Sequence, residues 1–290
     1  MTIVGRIVRY LCAVLLIIWI GLPIYWMFNM SIMLEIETYS VPPHFIPQNP
    51  VDFWYRIMFG LPVTHQLAGA VGVMNAALFT HGIYNSIFVA LPTSLAVIAV
   101  SSLVAYAFGR LNFRHKNALL FSLLTSRTLP PISIVIPYFI FFTVYVPLYG
   151  TTYGLMIMYF ITIVPMVSWI LTGYFASLPI EIERASRIDG CTRTSSFRRV
   201  ILPMAAPGVA AGFLISFIMC YNEYLFAMIL TMGSEGATLP ALLAGLFSHG
   251  TVMPLMSALV IVAMIPPVVL ALIFQRYITQ LRIVDPVTTL

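Results

Sequence analysis

The segment Leu61-Pro62-Val63-Thr64-His65-Gln66-Leu67-Ala68-Gly69-Ala70-Val71-Gly72-Val73-Met74-Asn75-Ala76-Ala77-Leu78-Phe79-Thr80-His81-Gly82 decides how many times this chain crosses a bilayer. It is uncharged and, at 22 residues, long enough to span about 30 Å of hydrocarbon. It also holds His65, Gln66, Asn75 and His81, which sit poorly in lipid. Six other stretches are long and apolar enough to span: about 11–33, 83–109, 118–145, 153–175, 206–231 and 253–274. With six spans and the N-terminus inside, Arg6, Arg9, Arg110, Arg114, Lys116, the arginines between residues 184 and 199, Arg276 and Arg282 all fall on the inner side. Arg56 alone lies outside, and Arg127 lies within a span. Counting 61–82 as a seventh span would move both internal basic loops outward, against the positive-inside rule. The segment is therefore expected outside, as a helix on the membrane surface or against the bundle.

The composition requires lipid. Of 290 residues, 61% are hydrophobic, 13% aromatic and only 8% charged, where a soluble domain carries about 25% charge. The mean hydropathy is +1.00. Disorder, collagen and disulfide scaffolds are excluded by the same figures. The three cysteines, Cys12, Cys191 and Cys220, are scattered and odd in number, so no disulfide framework is implied. The net charge of +5 is accounted for by the inner loops and does not point to nucleic acid. The run 11–33, preceded by Arg6 and Arg9, has the look of a signal peptide but is too long for one and is read as a retained helix. The expectation is one all-α membrane domain over residues 1–290, with both termini in the cytoplasm.

Between the first two spans, residues 34–82 form an outer lobe carrying Glu35, Glu37, Asp52 and the stretch Pro42-Pro43-His44-Phe45-Ile46-Pro47, whose prolines favour turns and extended backbone. No internal repeat of discontinuous half-helices is evident. Between spans four and five, residues 179–203 read as a charged helix-turn-helix. Pro179 suits a helix start, and Glu181 and Glu183 complement the dipole in the first turn. Asp189-Gly190 supplies the stop, and a second short helix runs from about Thr192 or Thr194 toward Val200, with Pro203 ahead of span five. By charge alone this is an ordinary basic inner loop.

Its spacing says more. Arg184-Ala185-Ser186, three residues, Gly190, nine residues, then Val200-Ile201-Leu202-Pro203 resembles in register the "EAA" loop of ABC importer permeases, and Asp189 before the glycine fits the carbohydrate-importer version. Asn85-Ser86, Ala105-Tyr106-Ala107-Phe108-Gly109-Arg110, Arg127-Thr128-Leu129-Pro130-Pro131 and Tyr221-Asn222-Glu223-Tyr224-Leu225-Phe226 extend the likeness along most of the chain. The resemblance implies a type I importer permease fold with six spans and cytoplasmic coupling helices. It also implies a partner permease, two ATPase subunits, an extracytoplasmic solute-binding protein, and cargo from the sugar, polyol or glycerol class. Coupling to the ATPase would fall on Glu181, Glu183, Arg184, Ala185, Ser186, Asp189, Gly190, Phe197 and Arg198, within residues 181–199. Arg184 stands where the family has its glutamate. Either Glu183 substitutes for it, or the charges across the interface are exchanged. The family's usual tail is replaced by Val284-Asp285-Pro286-Val287-Thr288-Thr289-Leu290.

Arg127 and Glu223 are the ionisable residues placed inside spans, and such groups face the bundle interior or a wet cavity. Two readings stand: a translocation pathway lined by Arg127, Asn222 and Glu223, or an Arg–Glu pair locking spans three and five. In both, Arg127 and Glu223 are expected close together. Pro92, Pro130, Pro131, Pro137, Pro165, Pro266 and Pro267 provide places for spans to bend. No cofactor is expected. The sole lysine, Lys116, lies outside any phosphate-binding loop, so ATP hydrolysis belongs to a partner. His44, His65, His81, His115 and His249 show no metal-ligand spacing, and no Gly-x-Ser-x-Gly elbow occurs. A stand-alone secondary transporter or channel is the alternative, expected to show charged or broken spans.

Overall fold

The computed structural model describes residues 3–63, 76–248 and 252–278, which are helical with no strand among them. Four helices are long and apolar enough to cross a membrane. They are α1 (Ile3–Ser31), α4 (Ala76–Arg110), α7 (Thr152–Ser177) and α13 (Met253–Ile278). Short helices α2 (Glu35–Thr38) and α3 (Phe53–Met58) lie between the first two. The others are α5 (Lys116–Thr125), α6 (Pro131–Ile140), α8 (Ile180–Ile188), α9 (Arg193–Ser196), α10 (Ala206–Tyr221), α11 (Leu225–Thr231) and α12 (Leu239–Ser248).

The chain divides into two compact units. The first comprises residues 1–81 and 242–265. Its α1 is apolar and exposed on every side over residues 10–20, Trp19 at 80%, which is how a lipid-embedded or partner-covered helix reads. The outer lobe is tied by backbone acceptors. Trp54 Nε1 donates to the Met33 carbonyl at 2.7 Å, and Tyr25 Oη and Asn29 Nδ2 donate to that of Phe45 at 2.6 and 2.8 Å. Glu37 accepts from the Gln48 amide at 2.6 Å and meets His44 Nδ1 at 3.2 Å. Met33, Trp54 and Met58 fill the space beneath.

The second unit, residues 82–241 and 266–290, holds the main core. On α7, Leu155, Met158, Tyr159, Ile163, Val167, Leu171 and Phe175 recur at three- and four-residue spacing and are all buried, one stripe at helical period. Glycines let neighbours come close to it. A Cβ on Gly109 of α4 would lie 3.2 Å from Ala176 N and Thr172 O of α7, and one on Gly212 of α10 would lie 3.2 Å from Leu171 Cδ2. Asn85 Nδ2 donates to the carbonyls of Glu235 and Ala237 at 2.7 and 3.0 Å, and Ser86 Oγ accepts from the Leu239 amide at 2.9 Å. These contacts bind the loop after α11 to the start of the second span.

Three expectations are corrected. Segment 61–82 is not a separate surface helix throughout, because residues 76–82 are the first turns of α4; residues 64–75 lie outside the described residues. The stretch 118–145, expected as one span, is interrupted between α5 and α6. Pro130 is extended (φ −61°, ψ 130°) and Pro131 opens α6, as expected where consecutive prolines remove backbone donors and push the preceding residue out of helix. The stretch 206–231, likewise expected as one span, is interrupted at Asn222-Glu223-Tyr224, between α10 and α11. The helical segment Arg193–Met204 meets α10 at 77°.

Candidate functional site

The helix-turn-helix forms at the expected place. Pro179 precedes α8, and Glu181 and Glu183 occupy its first turn. At Gly190 the backbone turns left-handed, φ +87°, a conformation glycine adopts without Cβ strain. Thr192 caps α9, its Oγ1 accepting from the Ser195 amide at 3.3 Å. A π-helical turn, Phe197–Ile201, leads into Leu202 and Pro203. Ser186 Oγ donates to the Glu183 carbonyl at 2.8 Å and lies 2.6 Å from Ser196 Oγ, a buried link between the two short helices. Phe197 is buried against Tyr106 of α4 (ring centroids 4.9 Å apart) and Phe175 of α7 (6.5 Å).

The polarity of α8 is turned inside out. Its inward residues are Glu183 and Ser186, both buried, while Ile188 is 87% exposed and Ile180 and Ile182 are also exposed. Glu181, Arg184, Ala185, Arg187, Asp189, Gly190 and Arg198 face outward. The Glu183 carboxylate accepts a 2.7 Å hydrogen bond from Tyr106 Oη and pairs with Arg110 Nε at 3.6 Å. Arg110 Nη2 also donates to the Pro179 carbonyl at 3.2 Å. Glu183 is therefore engaged internally, with Tyr106 and Arg110. Tyr106, Arg110 and Ser196 belong to this site and went unassigned in the sequence reading. The signal for the first two is their position in the last two turns of α4, at the end of an apolar stretch.

The two ionisable residues expected within spans each have backbone partners. Arg127, exposed, donates through Nη1 to the Thr162 carbonyl at 2.9 Å and approaches Met166 Sδ at 3.8 Å. Glu223, half-buried, takes the amides of Leu225, Phe226 and Ala227 at 2.9–3.2 Å and so caps α11. No ion pair joins Arg127 to Glu223 among the described residues; each has its own backbone partners instead. Asn222 is exposed at the interruption. Among the described residues no group of His, Cys, Asp or Glu could hold a metal.

Residues 98–283 match the family described as binding-protein-dependent transport system inner membrane component, and the chain belongs to that family. It is 32% identical over 223 residues to the trehalose transport system permease protein SugB of Mycobacterium tuberculosis, covering 75% of this chain and 80% of that one. It is 29% identical over 284 residues to the trehalose/maltose transport system permease protein MalG of Thermococcus litoralis, covering 96% and 95%. The sulfoquinovosyl glycerol transport system permease protein SmoH of Agrobacterium fabrum is 28% identical over 279 residues, covering 95% and 92%. In fold, the chain matches one from a bacterial ABC transporter involved in import of the acidic polysaccharide alginate. The TM-score is 0.68 at 22% identity, covering 96% of this chain and 99% of that one. The protein is thus a multi-pass membrane permease, a transport component rather than an enzyme. Interrupted spans, the feature expected of a stand-alone transporter, occur here in a member of this family and do not by themselves separate the two readings.

Proposed function

We propose that this chain is one permease of an ATP-driven importer for a sugar, polyol or glycosyl-glycerol solute in the cytoplasmic membrane. It works with a second permease, two ATPase subunits and an extracytoplasmic binding protein. The spans number six, with α5–α6 as the third and α10–α11 as the fifth, and both termini lie inside. The hairpin 181–199 docks on the ATPase, and closure of the ATPase moves the spans. One observation carries this reading: α8 buries its carboxylate and hydroxyl and presents Ile188 outward beside Arg184 and Arg187. A large apolar side chain held outward with a polar rim is what a protein interface requires. With Glu183 turned inward, the outer face offers Arg184, so the exchanged-charge alternative is the one favoured for the ATPase contact.

The interruptions of spans three and five are the candidate solute path, since irregular backbone at membrane depth is tolerated where it lines a cavity. Arg127 and Asn222 are the side chains proposed to line it, with Glu223 holding the interruption in shape. The deciding experiment is purification of the tagged chain from its native host. Recovery of an ATPase that Ile188→Asp abolishes supports the docking role; recovery unaffected by Ile188→Asp, with transport intact, removes it.

A further inference from the structure

The hairpin must deliver force somewhere, and its seat on α4 is built from polar contacts rather than apolar packing alone. Between α7 and α8 the chain passes through Leu178 and Pro179 in extended conformation (ψ 146° and 125°), a joint stiffened only by a long bond from the Leu178 amide to the Phe175 carbonyl at 3.4 Å, Pro179 having no amide proton to add. Arg110 Nη2 holds the carbonyl of Pro179 itself at 3.2 Å. The same guanidinium pairs with Glu183, one turn into α8, and Glu183 takes the hydroxyl of Tyr106, one turn earlier on α4. The Tyr106 ring in turn packs on Phe197, in the second half of the hairpin. Gly109, between these two α4 residues and the facing backbone of α7, closes the triangle: its missing side chain leaves the two helix ends in backbone contact.

We propose that Glu183 is a positioning residue for transport. Through Tyr106 and Arg110 it fuses the hairpin and the end of α4 into one lever, so that displacement of the hairpin turns α4 instead of folding the joint at Pro179. The Tyr106–Glu183 and Arg110–Pro179 hydrogen bonds are charge-assisted and directional, whereas apolar contacts slide; the Arg110–Glu183 contact, at 3.6 Å, adds an ion pair without a hydrogen bond. A buried charged pair contributes little net stability against an apolar replacement, so its role here is to fix geometry. This inference rests on the functional reading above and goes beyond it, since the carboxylate named here does not touch the ATPase.

The test uses the whole complex in proteoliposomes and reads solute taken up per ATP hydrolysed. With Glu183→Ala, the ATPase co-purifies in wild-type amount and hydrolyses ATP, while the ratio falls by about five- to a hundredfold, the span of ordinary coupling free energies. Glu183→Gln, which keeps an acceptor for Tyr106, falls less. Tyr106→Cys with Glu183→Cys, joined by a short bifunctional thiol reagent in a Cys12→Ser, Cys191→Ser background, recovers the ratio, because a covalent tie replaces the lost one. An unchanged ratio in Glu183→Ala, or a cross-linked pair that stays uncoupled, overturns the proposal. So does loss of the ATPase from Glu183→Ala with the wild type still holding it, since Glu183 would then be a docking contact. A wild-type chain that transports with no ATPase sinks the functional reading instead, which keeps the two failures distinct.

Discussion

The hydroxyls of Ser186 and Ser196 lie 2.6 Å apart and buried, and Ser196 is the donor. Ser186 has a single proton, already committed to the Glu183 carbonyl at 2.8 Å, so it can only accept from Ser196. Ser186→Ala leaves the Ser196 hydroxyl without its partner, at a cost of about 1–3 kcal/mol. Ser186→Ala with Ser196→Ala removes both ends and is expected to cost less than the single change. Limited proteolysis of the hairpin reads this out: the single variant is cut faster than the double. Equal rates would show that the link contributes nothing.

Glu223 is expected to act on stability before it acts on solute. Its carboxylate satisfies orphan amides at the start of α11, and loss of such a cap costs about 0.5–2 kcal/mol. Glu223→Ala therefore lowers the melting temperature in detergent, and Glu223→Gln, which keeps one acceptor oxygen, lowers it less. A melting temperature unmoved by Glu223→Ala, together with a large rise in the solute KM, would return the residue to the direct-contact reading.

At Gly190 the strain is separable from sterics. The φ of +87° is hostile to L side chains, yet a Cβ there meets nothing within 4 Å. Gly190→Ala thus carries only the conformational cost, about 1–2 kcal/mol, and Gly190→Asn less. Gly190→Pro cannot adopt the angle at all and is expected to abolish ATPase capture while the chain still inserts in the membrane. Capture that ranks Pro level with Asn would contradict a left-handed turn at this position.

Two glycines on α10 predict an order. A Cβ on Gly208 would overlap the rigid ring of Tyr174, whereas one on Gly212 meets the flexible Ile98 Cδ1 at 2.8 Å and Leu171 Cδ2 at 3.2 Å. Overpacking of this kind costs about 1–3 kcal/mol. Gly208→Ala should lower the melting temperature more than Gly212→Ala; the reverse order would misplace the contact between α7 and α10.

Hydropathy located the apolar stretches because each exceeds the length lipid demands, and the hairpin followed from its prolines, glycine and first-turn carboxylates. The interruptions of the stretches 118–145 and 206–231 did not follow, although their signals are present. Pro130-Pro131 denies two amides to a helix, and Glu223 two to four residues ahead of Leu225, Phe226 and Ala227 is a cap waiting for a start. An uncharged average over 20 residues conceals both. The inward turn of Glu183 was beyond reach for a different reason. Helical period puts 183 and 186 on one face but does not say which face is buried, and polarity argues for Ile182 and Ile188. Tyr106 and Arg110, some 70 residues earlier, reverse that choice. A direct ion pair between Arg127 and Glu223 is not among the contacts of the described residues, where each side chain is held by backbone partners of its own.

The central claim is that ATP hydrolysis on another polypeptide is transmitted through residues 181–199 into these spans. Uptake of a labelled disaccharide, with its binding protein outside and ATP enclosed, tests it directly in proteoliposomes holding the purified complex. The account predicts uptake that needs the ATPase and that vanishes with Gly190→Pro, although both permeases remain in the bilayer. Uptake by this chain without the ATPase, or undiminished uptake by Gly190→Pro, would contradict it.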